Sequence, residues 1–428
     1  MRNKIIIILL ALAVTLSAKA QVAKSAKGTF ALTNATIETV TRGTVENGTL
    51  VISDGKITAL GTDVNIPSGA TTIDCSGHTI YPGMIDAGTR LGLSEVSSVS
   101  LTNDFNEIGE VKPHMQALTA VNPNSVAIPV TRVSGVTTVV AAPAGGLIPG
   151  TAALINLVGY TPDQMYAGYK GVVMNFPNSR RRGRFDRRSE DDIKKAYEKS
   201  MKNINKLWDQ VELFAKTKSA NADTKYNPAL EAMVPVLDGK MGLLIEVNSK
   251  DAILNALKWI KEKNIENAVL TGVSEGWRVA EEIAEAGVPV ITGPVLSTPT
   301  RSSDRYDRPY ANAGIMHQAG VKVAIRTADT ENVRNLPFNA GFAAAYGMGK
   351  KAALEAVTIV PAQIMGVSDE IGSLEVGKNA NLFVADGDPF ETKTLIKHVF
   401  INGYQIAIDS RHIQLYNEFL ERSPGVKK

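Results

Sequence analysis

Gly242-Leu-Leu-Ile-Glu-Val247 is followed by a helix-like stretch from Asp251 to Lys263, then by Asn267-Ala-Val-Leu-Thr271, a second helix-like stretch from Trp277 to Ala286, and Val288-Pro-Val-Ile-Thr292. The short runs are almost wholly apolar rather than alternating, as strands are when both faces are buried. Such strands separated by helices form a parallel sheet with the helices packed outside it. Further out, Val136-Thr-Thr-Val-Val-Ala141 and Val321-Lys-Val-Ala-Ile325 repeat the strand texture. Asp307 to Ala319 and Asn339 to Tyr346 repeat the helical one. Residues 81–365 are therefore expected to form an α/β fold, a (β/α)8 TIM barrel, whose usual length of about 250 residues this region suits.

The flanks differ. Between Gly28 and Ile85, short β-forming runs such as Gly48-Thr-Leu-Val-Ile-Ser53 surround the hairpin turn Asp54-Gly55. After residue 365 the chain returns to β texture, with Asn381-Leu-Phe-Val-Ala385 and His398-Val-Phe-Ile-Asn-Gly403, and ends in a helix from Ile413 to Glu421. Segments 21–80 and 366–428 are expected to build a small composite β-sandwich from the two ends of the chain.

The first 20 residues have a charged start at Arg2 and Lys4, an apolar run from Ile5 to Leu16, and Ser17-Ala-Lys-Ala20. This is the pattern of a cleaved secretory signal peptide. The apolar run is too short for a membrane span, which needs roughly 20 residues. The expected location is periplasmic or secreted, with no membrane anchor after cleavage. Lys and Arg number 46 and Asp and Glu 43, and residues 1–20 hold Arg2, Lys4, Lys19 and no acid. The remaining chain is formally neutral, so its charge implies no nucleic-acid partner. The lone Cys75 excludes an internal disulfide and any cysteine-rich zinc site.

Arg180 to Arg188 is the one basic block, with six arginines. It reads as a solvated loop or as a docking site for an acidic partner or polyanion. A charged helix follows from Glu190 to about Lys216, with Tyr197, Ile204, Trp208, Val211 and Phe214 on one face.

Tyr81-Pro-Gly-Met-Ile-Asp86, Gly135-Val-Thr-Thr-Val139, Thr358-Ile-Val-Pro-Ala362, the run from Gly372 to Pro389 and Ile401-Asn-Gly403 occur in that order. Together they resemble the signatures of the amidohydrolase superfamily, in its imidazolonepropionase-like branch, over most of the chain. The resemblance implies hydrolysis of C–N and related bonds with one or two metals, zinc or another divalent ion. The metal lowers the pKa of water toward about 7 and polarises the carbonyl. It also implies a ligand set of His-x-His after the first strand, a bridging carboxylate, two further histidines and an Asp after the eighth strand.

Those positions carry other residues here. The His-x-His positions are Gly88 and Arg90; Asn175 stands at the bridging carboxylate; the later histidine positions are Glu246, with Asn248 two residues on, and Thr271. After the eighth strand come Arg326-Thr-Ala-Asp329, with Asp329 one place late, and then Arg334. Of the five histidines, His78 and His398 fall in the sandwich, His317 on an outer helix and His412 in the tail. Only His114 is left for the mouth of the barrel. No metal or other cofactor is expected.

Arg90, Glu246, Asn248, Thr271, Arg326, Asp329 and Arg334 are the candidate pocket. The arginines are expected to replace the metal's charge, either plugging the site against Glu246 or offering donors to a small anionic ligand. Arg334 and Asn332 reach toward the mouth or merely shape a loop. The first functional reading is an exported, non-hydrolytic protein that binds a ligand or a partner, a second copy or an active amidohydrolase. The alternative is a C–N hydrolase with a reduced or altered metal site, acting on non-peptide or dipeptide bonds, with Glu246 or Asp329 as base. No phosphate-binding Gly-Lys-Ser/Thr ending is present.

Overall fold

Eight short strands, nearly all fully buried, set the frame of the computed structural model, which describes residues 25–180, 187–221 and 223–422. They are β6 (Met84–Thr89), β7 (Val136–Ala141), β8 (Gly150–Asn156), β9 (Tyr166–Asn175), β10 (Gly242–Val247), β11 (Ala268–Gly272), β12 (Val290–Thr292) and β13 (Val323–Ile325). They hydrogen-bond in chain order from β6 to β13. The barrel was legible in the sequence; one strand was not. Gly150, close behind the pair Gly145-Gly146, begins β8, which runs antiparallel to both neighbours. No long crossover helix is then needed between β7 and β9, because antiparallel neighbours can be joined directly.

The two ends of this sheet meet without a continuous ladder. The seam is closed by Ile85 N–H to Val357 O and Ile325 N–H to Ala356 O lower down. At the C-terminal mouth it is closed by Ala328 N–H to Gly88 O and Arg90 N–H to Asp329 O. Inside, Ile85, Val140, Leu154, Val173, Leu244, Val269, Ile291 and Ala324 form one packed layer. The C-terminal part of the helix Ile359–Ile364 and Met365 extend that layer.

Outside the barrel, the helix Glu190–Ala220 buries Ile193, Ile204, Leu207, Trp208, Val211 and Phe214. Tyr197, expected on that face, is only half-buried. The helix Lys250–Lys263 presents Trp259 edge-on to Trp208, with ring centroids 5.6 Å apart.

The two ends of the chain share one eight-stranded sheet. It comprises β1 (Phe30–Glu38), β2 (Thr44–Ser53), β3 (Lys56–Gly61), β4 (Thr71–Asp74), β5 (Thr79–Pro82), β14 (Leu382–Ala385), β15 (Ile396–Ile401) and β16 (Tyr404–Ile406). The expected composite is present as a single hydrogen-bonded sheet, joined where β5 pairs with β14. Its separate core includes Leu32, Ile52, Cys75, Ile80, Leu382 and Phe400. A buried amide network fastens it to the barrel: Asn381 Nδ2 donates to Asn156 Oδ1 at 2.8 Å, and Asn381 Oδ1 accepts the Asn402 N–H at 2.7 Å. The helix Arg411–Arg422 ends the described chain.

The expected signal peptide and Arg181, Arg182 and Arg184 of the basic block lie outside the described residues. Among the described residues no helix is long and apolar enough to cross a membrane.

Candidate functional site

Every strand of a barrel aims alternate residues inward, so the last inward residues at the C-terminal ends of the seven strands that run the same way converge on one space. Here that space is a cavity of about 360 Å³. Its rim includes Gly88, Arg90, Asn175, Glu246, Asn248, Thr271, Arg326 and Ala328, and its floor includes Val140, Val173 and Leu244. The positions at which the resemblance places metal ligands therefore come together in space. A register irregularity between Asp86 and Thr89 shifts β6 against β7, and Ala87, Gly88, Thr89 and Arg90 all reach the cavity.

The centre of the rim is an ion pair. Arg326 Nη2 reaches Glu246 Oε2 at 2.8 Å and Oε1 at 2.9 Å. Thr271 Oγ1 donates to Oε2 at 2.7 Å and Asn248 Nδ2 to Oε1 at 3.2 Å. Burial alone would push the Glu246 carboxyl up; the Arg326 charge and the hydrogen bonds from Thr271, Arg326 and Asn248 outweigh it and hold it below the ordinary glutamate range. Both oxygens of Glu246 are thereby occupied.

Arg90 behaves differently. Its guanidinium lies over the Phe105 ring, 4.5 Å from the centroid, and among the described residues it has no carboxylate partner. The Asn175 amide donates to Gly146 O at 2.7 Å, which fixes the loop after β7.

Two candidates leave the site. Asp329 does not line the cavity. Its Oδ1 accepts the N–H groups of Thr330, Glu331 and Asn332, and its Oδ2 the Asn332 amide, so it caps the next turn. The cause is parity: Arg326 and Ala328 face the cavity, Thr327 faces away, and the positive φ of Ala328 (53°) turns the chain before Asp329. Arg334 is also absent from the rim; its Nη1 lies 3.0 Å from Nδ1 of His412 on the C-terminal helix. Asn332, tied to Asp329, shapes the loop. His114 is exposed and does not line the cavity.

One residue was passed over. Asp86, quoted above only as part of a signature, is fully buried behind the rim. It accepts hydrogen bonds from Thr327 Oγ1, from Thr327 N–H at 3.1 Å and from Gly88 N–H at 3.1 Å, and so clamps the seam. Burial pushes its carboxyl up to about 6 against these bonds and the more distant charge of Arg326. The sequence signal was an acid inside a short buried strand.

The donor set does not suit a divalent metal. Among the described residues Glu246 is the only carboxylate lining the cavity, it is saturated, and a guanidinium stands against it. Among the described residues no three of His, Cys, Asp or Glu cluster as a metal site would require.

An eight-stranded α/β barrel with a composite sheet and a mixed polar and apolar cavity at its mouth defines the class as a TIM-like barrel protein. The Amidohydrolase family model matches residues 79–406, and the chain belongs to that family. The amidohydrolase of Thermotoga maritima MSB8 superposes with a TM-score of 0.77 at 24% identity, over 88% of this chain and 99% of that one. Molinate hydrolase superposes with a TM-score of 0.54 at 19% identity, over 93% and 97%. Both likenesses are of fold. The imidazolonepropionase of Syntrophobacter fumaroxidans (strain DSM 10017 / MPOB) is 36% identical over 109 residues. That match spans 24% of this chain and 24% of the relative. The imidazolonepropionase of Staphylococcus aureus (strain Newman) is 47% identical over 47 residues, 11% of each chain.

Proposed function

We propose that this amidohydrolase-family protein binds a small organic anion in the barrel mouth and does not carry out metal-dependent hydrolysis. The observation that carries the reading is Arg90, a cation without a carboxylate partner among the described residues, at the edge of a cavity lined by two arginines and one glutamate. The Phe105 ring holds one face of the guanidinium and leaves its N–H edge for a carboxylate, which such a fork matches in a bidentate way. Val140, Val173 and Leu244 would take the apolar body of the ligand. The cavity volume falls in the usual range for small-molecule sites, about 300–1,000 Å³.

The hydrolase reading needs a base with a lone pair free for water, and Glu246 has both oxygens engaged. Export by the N-terminal segment belongs to the same proposal, as does a partner subunit, a second copy or an active amidohydrolase, at the same mouth.

A thermal-shift and calorimetry panel of small carboxylates, with inorganic phosphate and uncharged amides alongside, tests the proposal. Carboxylates should stabilise the protein, and Arg90→Ala should weaken the best of them by about tenfold or more, as losing a charge-assisted hydrogen bond does. Equal binding by the variant, or stabilisation by neutral amides alone, would sink the reading.

A further inference from the structure

Arg326 leaves the end of β13 and reaches across the mouth to Glu246 on β10. Its path passes over Gly88, and the carboxylate it meets lies against Gly272, two positions without side chains. A Cβ at Gly88 would stand 2.9 Å from Arg326 Cδ and 3.6 Å from Nη1. A Cβ at Gly272 would stand 2.6 Å from Glu246 Oε1 and 2.6 Å from Asn248 Oδ1. Gly88 is the first His-x-His position of the resemblance, so the residue that would hold a metal has become the clearance for an arginine. Loss of ligands alone would leave a hollow. Here a permanently charged group fills it, with its own carboxylate, hydroxyl and amide around it.

We infer that Arg326 is the resident cation of this site. It occupies the place a metal ion takes in histidine-bearing relatives, and it excludes such an ion by charge and by volume. Gly88 is the positioning residue that admits it. The inference is independent of ligand binding at Arg90: Arg326 can be the resident cation whether or not any carboxylate binds. A guanidinium stays charged at every pH the protein meets, so Glu246 is neutralised without a metal. Excluding metal is then a built property of the rim, and putting histidines back is not enough to restore a metal site.

The test compares two full-length multiple variants, loaded with zinc alone and read by metal content after gel filtration. The first is Gly88→His/Arg90→His/Ala328→Asp, which places two histidines and an aspartate around Glu246. The second adds Arg326→Ala. Only the second should retain about one equivalent of zinc, now that it has four donors and no competing cation. Equal retention by both, or by neither, overturns the inference. So does about one equivalent in the wild type that is lost in Glu246→Gln.

A single substitution guards against misfolding of the multiple variants. Arg326→Met should leave Glu246 without its cation, so that its stability deficit against wild type shrinks as pH falls from 7 to 5. A deficit that stays constant over that range means that Arg326 does not hold the charge of Glu246, and the inference falls.

Discussion

Glu246 and Asp86 are both carboxylates on barrel strands, one near the C-terminal end of β10 and one in the middle of β6, and the fold treats them in opposite ways. Glu246 faces the cavity, has a guanidinium at 2.8 Å, and is held ionised. Asp86 faces the seam, has only hydroxyl and backbone donors in contact, and is pushed up to about 6. Both accept several hydrogen bonds, so hydrogen bonding alone does not separate them. The direct contact of a full positive charge does, because neutral donors only partly offset the cost of burying a charge. Asp86 ionises less readily than an ordinary aspartate, and its role is to fasten the barrel. Glu246 is at home as an anion, and its role is to anchor Arg326 at the mouth.

The widest break in that comparison comes from removing the cation. Arg326→Met should cost roughly 4 kcal/mol at pH 7 in denaturant unfolding, since it strands a partly buried carboxylate. The sign with pH follows. Without Arg326 the Glu246 carboxyl is left to burial and moves up, so the variant recovers as it protonates. In the wild type the stability from the lowered Glu246 is present above the ordinary range and is lost only as pH falls below it. A variant as stable as wild type at pH 7 would mean the pair is idle.

Asp86→Asn probes the other carboxylate. Its folded value lies above the ordinary 3.8, so its contribution is full below that value and is lost as pH rises through about 6. The stability difference between wild type and variant should therefore fall by on the order of 3 kcal/mol between pH 4 and pH 7. A flat difference would show that the seam bonds compensate the buried charge in full. Thr271→Val removes one of the donors to Glu246 and should cost about 1 kcal/mol by urea melts, much less than losing the charge. The smallest effect expected is at the rim: Phe105→Leu should weaken a bound carboxylate by roughly threefold in calorimetry while leaving unfolding nearly unchanged, because it removes only the stacking beneath Arg90. A tenfold loss there would make Phe105 part of the ligand contact itself.

Much of this frame could be read along the chain. The runs at 242–247, 268–272, 290–292 and 323–325 are strands because a barrel buries both their faces, and polar side chains enter them only at or near the C-terminal ends, as Glu246, Thr271 and Thr292. The helix Lys250–Lys263 begins one residue before the stretch expected from Asp251 to Lys263, and Ser249 caps it. β8 escaped because Gly-Thr-Ala-Ala-Leu-Ile-Asn follows a glycine pair that reads as loop, and strand direction leaves no mark on composition. Asp329 was misplaced into the pocket for a related reason: one position along a strand end reverses the side a residue faces, and sequence spacing does not show the turn at Ala328.

By itself the sequence determined the barrel, the sheet shared by both ends of the chain, and the near absence of histidine from the mouth. These depend on local pattern and on residue identity at the ends of strands. Only the tertiary structure decided that Arg326 lies over Gly88 and ends on Glu246, and that Asp86 closes a seam. Each of those depends on side chains far apart in the chain arriving within about 3 Å, the reach of a hydrogen bond. The closing of the barrel sets that distance, and no single segment encodes it.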